Sequence, residues 1–252
     1  YVLEERMAEN PTRVQDFLDD LLLKSKEKAI QEVDEIKTFM GTLGIDHELE
    51  RWDWAYYAEK LRKNKFNFDD ELLKPYFKLE KVIDGVFKTA EKLFGLTFKL
   101  NAQIPVYHEE VKAYEVWEDQ ELKAIFLADY FPRSGKRPGA WMTSYRGQKK
   151  VNGQRTIPQV SIVCNFTPSA DNRPSLLKFD EVKTLFHEFG HALHGMLANT
   201  TYESLSGTSV PWDFVELPSQ IMENWCYEPE CLRLFAHHYE TGEVIPSEYI
   251  DR

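Results

Sequence analysis

The sequence is poor in cysteine, in positive charge and in long apolar runs, and each shortage excludes a class of protein. Its three cysteines lie outside any Cys-x-x-Cys metal or redox pattern, and so low and odd a count is typical of a reducing compartment. Lys and Arg number 31 against 42 Asp and Glu, and the formal charge of −11 argues against nucleic acid or an anionic membrane as the main partner. No apolar run approaches the roughly 20 residues that span a bilayer. We therefore expect neither a nucleic-acid nor a membrane partner.

The first residues, Tyr-Val-Leu-Glu-Glu-Arg-Met-Ala, lack the basic segment and the apolar core of a signal peptide. The sequence does not begin with Met, so we expect residue 1 not to be the natural start. The missing signal therefore has little bearing on the parent protein, and the expectation of a cytoplasmic location rests on the scarcity of cysteine.

Helical periodicity dominates the first 95 residues, in which apolar and aromatic side chains recur at core spacing. Asn10 and Pro11 suit the N-cap and the first position of a long helix. Three more helices are predicted. One runs through residues 52–61, one starts near Asp69, and one covers residues 79–94 and ends at Gly95. We expect this part to be a helical scaffold.

From about residue 96 the hydrophobic pattern alternates, which is typical of strands. Strands are predicted at residues 96–100, 106–108, 111–117, 123–130 and 160–166, with the third and fourth forming a hairpin. The predicted fold class is mainly α with a small β-sheet (α+β), divided into a helical scaffold over residues 1–95 and a second region over residues 96–252.

One stretch of the second region carries recognisable chemistry. Residues 179–198 form a predicted amphipathic helix that contains the pattern His-Glu-x-x-His, with His187, Glu188 and His191. Four residues advance a helix by little more than one turn, so the two histidines project from one face and can share a zinc ion. Glu188 lies beside them, where its carboxylate could take a proton from attacking water. The pattern indicates a zinc hydrolase, against the alternative of a buried helix with two ordinary core histidines.

A third ligand is needed, and the downstream sequence offers several glutamates. The position that holds the third His of a metzincin is Leu197, which excludes that class. Glu203 lies in a polar run that predicts a loop, and it is the weakest candidate. Glu216 and Glu223 fall on a predicted helix over residues 210–227, where a zinc site with two histidines and one glutamate has its third ligand. Spacing alone favours neither of these two.

A resemblance to a known family distinguishes Glu216 from Glu223 as the candidate third ligand. It rests on four segments: Phe179-Asp-Glu-Val-Lys-Thr-Leu-Phe-His-Glu-Phe-Gly-His-Ala-Leu-His194, Ser206-Gly-Thr208, Asp213-Phe-Val-Glu-Leu-Pro-Ser-Gln220 and Glu223-Asn-Trp225. Together they resemble the zinc metallopeptidase family of thimet oligopeptidase, oligopeptidase A and bacterial peptidyl-dipeptidase. The resemblance implies the zincin-like catalytic region of a helical metallopeptidase, with one zinc ion per chain and short peptides as substrates.

The resemblance also implies roles for individual residues. Glu216 corresponds to the third zinc ligand, and Glu223 to a carboxylate that contacts a ligand histidine. His194 is expected to pack beside the site rather than to bind the metal. The loop over residues 131–140 borders the cleft in this family, so Gly139 and Ala140 are expected to face the substrate.

The same resemblance marks what the sequence does not contain. Relatives have a later His- and Tyr-rich segment that supplies donors for the oxyanion, and several hundred residues of helical domain on the N-terminal side. The chain is therefore expected to be incomplete at both ends, with the rest of the parent polypeptide as its partner. Alone, it is expected to bind zinc weakly or in part and to have little or no peptidase activity.

Three functions remain open from the sequence. A peptidyl-dipeptidase, which releases C-terminal dipeptides, is favoured over an oligopeptidase that cuts inside short peptides. The third is a non-catalytic helical domain with a structural or vestigial metal site. A structural zinc site usually has four protein ligands, and no fourth Cys or His is placed to serve, so the sequence favours catalysis.

Two further features carry alternatives. The cluster Arg133, Lys136 and Arg137 could bind a phosphate, but it lacks Walker spacing, and a solvated turn is favoured. The strand over residues 160–166 either has a free edge that pairs with an extended peptide, or lies inside the sheet with no ligand. The sequence favours neither position for this strand.

Overall fold

The computed structural model of the chain describes residues 2–66, 70–170 and 173–250. The chain divides into two compact units, and the division in the sequence falls between Leu72 and Leu73. The predicted helix start near Asp69 lies outside the described residues. The predicted division at residues 95 and 96 follows the change of hydrophobic period, and as a boundary between scaffold and catalytic region it stays a prediction.

The first unit is a pair of helices, α1 (Pro11–Thr42) and α2 (Trp54–Phe66), followed by a short 3-10 turn, Asp70–Leu72. The side chain of Asn10 accepts the N–H of Arg13 at 3.0 Å, which confirms the predicted cap of α1. Burial of Ile36, Met40 and Tyr57 joins the two helices, since these side chains form one apolar cluster.

The second unit carries the remaining helices. They are α3 (Leu79–Phe94), α4 (Phe179–Met196), α5 (Trp212–Val215), α6 (Leu217–Asn224), α7 (Pro229–Phe235) and α8 (Ser247–Ile250), with 3-10 turns at Lys74–Tyr76, Glu203–Leu205 and Trp225–Tyr227. Gly95 ends α3 with a φ of 69°, a left-handed conformation that favours glycine and confirms the predicted stop.

A five-stranded mixed sheet lies in the second unit, in the order β1-β2-β3-β7-β4, beside a two-stranded β5-β6 ribbon. Its strands are β1 (Leu96–Leu100), β2 (Lys112–Glu118), β3 (Glu121–Asp129), β4 (Trp141–Arg146), β5 (Lys150–Val151), β6 (Gln154–Arg155) and β7 (Gln159–Val163). β3 and β7 are parallel, and the other pairs of this sheet are antiparallel. Helices with one small sheet confirm the predicted fold class.

One expectation about the strands is wrong. Residues 106–108 form no strand, since they follow Pro105, which lacks the N–H that a ladder needs. The strand predicted at 160–166 is β7, and of the two positions that the sequence left open it takes the interior one, between β3 and β4. β4 is an edge strand of this sheet, and our sequence analysis missed it, although its Trp, Thr and Tyr residues favour strands.

Helix α4 packs on one face of the sheet at close range. Fully buried Phe126, Val160 and Ile162 cover that face, and Phe126 meets Phe189 of α4 edge to face with ring centroids 5.6 Å apart. A Cβ added to Gly195 would lie 2.9 Å from Val160 Cγ1, so this end of α4 needs a residue without a side chain. The sheet therefore fixes the position of the helix that carries the His-Glu-x-x-His pattern.

Among the described helices, none combines the length and apolarity that crossing a membrane requires.

Gly190 marks the crossing of α4 and α6. A Cβ at this position would lie 2.6 Å from Ser219 Cα and 2.7 Å from the Pro218 carbonyl oxygen. Because both are backbone atoms, Gly190→Ala must push the helices apart, and we expect it to lower the free energy of unfolding by about 1–3 kcal/mol. Urea unfolding measures this, with Gly41→Ala in α1 as the control. A Cβ at Gly41 meets nothing within 4 Å, so that variant should be neutral or more stable by up to about 1 kcal/mol. Equal stability of both variants would contradict the close crossing.

Candidate active site

Three of the predicted site residues converge on one point. His187 and His191 lie one turn apart on α4, with ring centroids 4.9 Å apart. The Oε2 atom of Glu216 lies 3.2 Å from His187 Nε2 and 3.1 Å from His191 Nε2. One ligand atom from each residue therefore falls within 4.8 Å of the other two, which is a group able to hold a metal ion.

Glu216 lies at an interruption between two short helices. The single helix predicted over residues 210–227 is wrong, because α5 ends at Val215 and α6 begins at Leu217. Pro218, in the first turn of α6, has no N–H to donate and its ring crowds the preceding turn. The single hydroxyl proton of Ser219 is shared between Glu216 Oε2, 2.8 Å from Oγ, and the Glu216 carbonyl oxygen, 2.9 Å from it, which directs the carboxylate.

The structure separates the other two candidate glutamates from this point. Glu203 accepts hydrogen bonds from Lys149 Nζ at 2.7 Å and from the Gly147 N–H at 3.2 Å. Glu223 Oε1 lies 2.6 Å from His187 Nδ1, on the side of the ring away from Glu216. A carboxylate that accepts the Nδ1 proton leaves Nε2 with its lone pair free and holds the ring in place.

Glu188 is buried beside the two histidines, with 6% of its surface exposed. Its Oε2 atom has no hydrogen-bond partner in the described part of the chain. Burial raises the pKa of Glu188 to about 7, with His187 acting to lower it and Glu216 to raise it. A carboxyl group with a pKa near neutrality can both accept and return a proton at neutral pH.

The remaining charges suit a cation at the point of convergence. Burial lowers the pKa of His191, although Glu216 acts to raise it. Burial acts to raise the pKa of Glu216, but the hydrogen bond from Ser219 and the two histidines outweigh it and hold that pKa below its usual value. Neutral imidazole nitrogens and an ionised carboxylate are the donor set of zinc enzymes with two histidines and one glutamate. The residues present therefore fit a zinc ion.

His194 lies one turn beyond His191 and outside the converging group. Its Nδ1 atom is buried without a partner among the residues that the structure describes, and burial lowers its pKa. Its ring packs near Phe214, with centroids 6.4 Å apart, and lines an apolar pocket with Leu217 and Ile221. This position agrees with a packing role, which stays a prediction.

The loop that holds Gly139 and Ala140 leads directly into the edge strand β4. Gly139 has a φ of 94°, a conformation that L side chains rarely adopt. The side-chain Nδ2 of Asn165 donates to the carbonyls of Arg137 at 2.8 Å and of Gly139 at 2.7 Å. Our sequence analysis missed Asn165, which it placed inside the strand predicted at residues 160–166; a polar side chain after the buried run that ends at Cys164 was the available signal.

The basic cluster of this loop neither forms a phosphate site nor lies wholly in solvent. Arg133 donates to both carboxylate oxygens of Asp129 at 2.8 Å, and Lys136 Nζ donates to Oδ1 at 2.8 Å. The expected solvated turn is therefore wrong for Lys136, whose side chain is 4% exposed, while Arg137 is exposed. Burial acts to raise the pKa of Asp129, but hydrogen bonds from Arg133, Lys136 and Tyr107 hold it below its usual value.

Comparison with known families places the whole chain. The family described as "Peptidase family M3" matches residues 1–252. The chain belongs to peptidase family M3. This match confirms the family resemblance that we inferred from the sequence, and it extends over the whole chain.

Known relatives of the M3 chain are considerably longer than it is. Oligopeptidase A of Escherichia coli (strain K12) is 43% identical over 254 residues, which cover 99% of this chain and 37% of the relative. Dipeptidyl carboxypeptidase of the same strain is 40% identical over 248 residues, covering 98% and 36%. "Probable cytosolic oligopeptidase A" of Arabidopsis thaliana is 38% identical over 244 residues, covering 93% and 35%. The M3 chain thus spans little more than a third of the curated relatives that it matches.

Proposed function

We propose that this M3 chain forms the zinc-binding catalytic region of a peptidase that hydrolyses short peptides. The observation that carries the proposal is the convergence of His187 Nε2, His191 Nε2 and Glu216 Oε2. These three atoms would hold one zinc ion per chain. Zinc, when bound, supplies a Lewis acid that polarises a carbonyl group and lowers the pKa of water.

The side chains around the proposed ligands have separate tasks. Glu188 takes the proton of the attacking water and returns it to the leaving amine, a cycle that its raised pKa supports. Glu223 holds the His187 ring through Nδ1, and Ser219 holds the Glu216 carboxylate. Burial around Glu188 keeps bulk water away from the proton that it carries.

The substrate would bind along β4. Of the strands in this sheet, β4 and β1 are the two at the edges, and β4 also lies against α4. An extended peptide can pair with such an edge through main-chain hydrogen bonds, with little dependence on sequence. Gly139 and Ala140 lie just before the first residue of β4, so we propose that they contact the peptide.

Cleavage that releases C-terminal dipeptides is our first proposal, and cleavage inside short peptides is the second. The second has support from the 43% identity to oligopeptidase A, against 40% to dipeptidyl carboxypeptidase. A non-catalytic metal site has less support, because the metal-binding group found among the described residues contains three ligands rather than four. The proposed oxyanion donors come from the rest of the parent polypeptide, as partner of this chain. We also propose a cytoplasmic location.

Peptide hydrolysis by the parent polypeptide tests these proposals. We expect cleavage of a short peptide, loss of cleavage on treatment with a chelator, and recovery when zinc is added back. Mass spectrometry of the products separates the two activities, since an amidated C-terminus should block dipeptide release and leave internal cleavage unaffected. The 252-residue chain alone should be weakly active or inactive. Cleavage that survives chelation would overturn the zinc mechanism.

A further inference from the structure

Side-chain hydrogen bonds hold both the first and the second half of the loop between β3 and β4. Its first half is held by buried Asp129, which binds Arg133 through two oxygens and Lys136 through one. Lys136 Nζ also donates to the Asp129 carbonyl at 3.1 Å. Its second half, which leads to the proposed substrate contacts, is held by Asn165.

Asn165 is well placed to fix the second half. The amide nitrogen of the residue before it, Cys164, donates to the Asp129 carbonyl at 2.7 Å, and that of the residue after it, Phe166, donates to the Tyr130 carbonyl at 2.9 Å. Its backbone is thus held on both sides. The two protons of its Nδ2 serve two carbonyls, one each, so a single side chain orients two peptide groups.

The start of β4 lies against the helix that carries Glu188. A Cβ added to Gly195 of α4 would lie 2.7 Å from Met142 Cε, and Met142 is the second residue of β4. Met142 pairs with Ile162 of β7, the strand whose end leads to Asn165. Asn165 therefore fixes a loop that enters a strand packed on α4.

We propose that Asn165 is a positioning residue, which fixes the carbonyls of Arg137 and Gly139 and so sets the start of β4 relative to Glu188. This rests on the proposed function, because it assigns the substrate to the β4 edge. A peptide that pairs with β4 takes its register from that strand, so a shift of the strand moves the scissile bond. Displacements of about 1 Å at a reacting bond cost up to about 100-fold in rate.

The test compares Asn165→Asp, Asn165→Ala and the control Asn199→Asp, whose side chain is exposed in another loop. Asp has the shape of Asn but no proton to donate, and it places a negative charge against two carbonyl oxygens. Each change is made in the parent polypeptide with Glu188→Gln, so that a labelled short peptide binds without being cut, and fluorescence anisotropy measures its Kd. Hydrogen exchange over residues 137–146, zinc content and Tm are measured on the same variants.

We expect Asn165→Asp to raise the Kd about 10-fold and to speed exchange over residues 137–146, with Asn165→Ala showing a smaller effect in the same direction. Zinc content and Tm should stay at the values of the parent, and Asn199→Asp should change none of these quantities. An unchanged Kd, or a rise in Kd that only follows loss of zinc or of Tm, would overturn the proposal. If the parent polypeptide with Glu188 intact binds the peptide but does not cleave it in a zinc-dependent way, the proposed function is wrong. The ratio of Kd values between the Asn165 variants and the parent would still decide the role of Asn165.

Discussion

Glu188→Gln should lower kcat for peptide cleavage by about 10²- to 10⁴-fold and leave zinc content unchanged. Gln has the same shape as Glu but cannot take a proton from water or return one to the leaving amine. Zinc should remain because Glu188 is not one of the three residues whose ligand atoms converge. Folding should also survive, since a neutral amide costs less to bury than an ionised carboxylate, and the Oε2 atom has no described partner to lose.

The matched control for this prediction is Glu181→Gln, the same change seven residues earlier on α4. The side chain of Glu181 accepts the N–H of Lys178 at 2.8 Å, and a Gln oxygen can accept that proton equally well. Steady-state kinetics on the parent polypeptide, with zinc measured on the same samples, should show near-normal activity for Glu181→Gln. If Glu188→Gln kept more than about a tenth of the normal kcat, another group would have to carry the proton, and the proposed role of Glu188 would be wrong.

The parts of the site that could be predicted are those that depend on local spacing. His187, Glu188 and His191 lie on one regular helix, and helical geometry alone places the two imidazoles on the same face. The bounds of α3 and α4 followed from local signals as well, such as the glycine after Phe94. The hairpin of β2 and β3 was predictable because its strands are neighbours in the sequence, joined by a turn of two residues between Glu118 and Glu121.

The parts that could not be predicted depend on contacts between distant segments. A helical pattern through residues 210–227 hides the break at Glu216, which arises from Pro218 and is exploited by the Ser219 hydroxyl. Alternation predicts a strand at residues 160–166, where the structure has β7 over Gln159–Val163, but it cannot show whether another strand covers its edge. The charges of the loop gave no sign of their partner, since Asp129 belongs to the preceding strand and is buried only in the folded chain.

The contact between α4 and α6 brings Glu216 to the two histidines, so among the three candidate glutamates its loss should weaken metal binding most. Glu216→Ala leaves two imidazoles, too few for the three-ligand set of a catalytic zinc site. We expect elemental analysis of protein purified without chelator to find about one zinc per chain normally and nearly none in the variant. The control is Glu203→Ala, which removes another candidate glutamate that binds Lys149 instead of the histidines. That variant should keep its zinc.

Glu223→Gln distinguishes a ligand from a residue that only holds a ligand. Gln can still contact His187 Nδ1, but it carries no charge, so zinc affinity should fall by about 10- to 100-fold while a full site still forms at high zinc. Glu216→Ala should weaken zinc binding by more than this, because it removes an atom of the converging group itself. A competition titration with a coloured zinc chelator gives both affinities on one scale. The reverse order would make Glu223 the third ligand, and it would require α6 to turn relative to α4, which the close contact of Gly190 with Ser219 opposes.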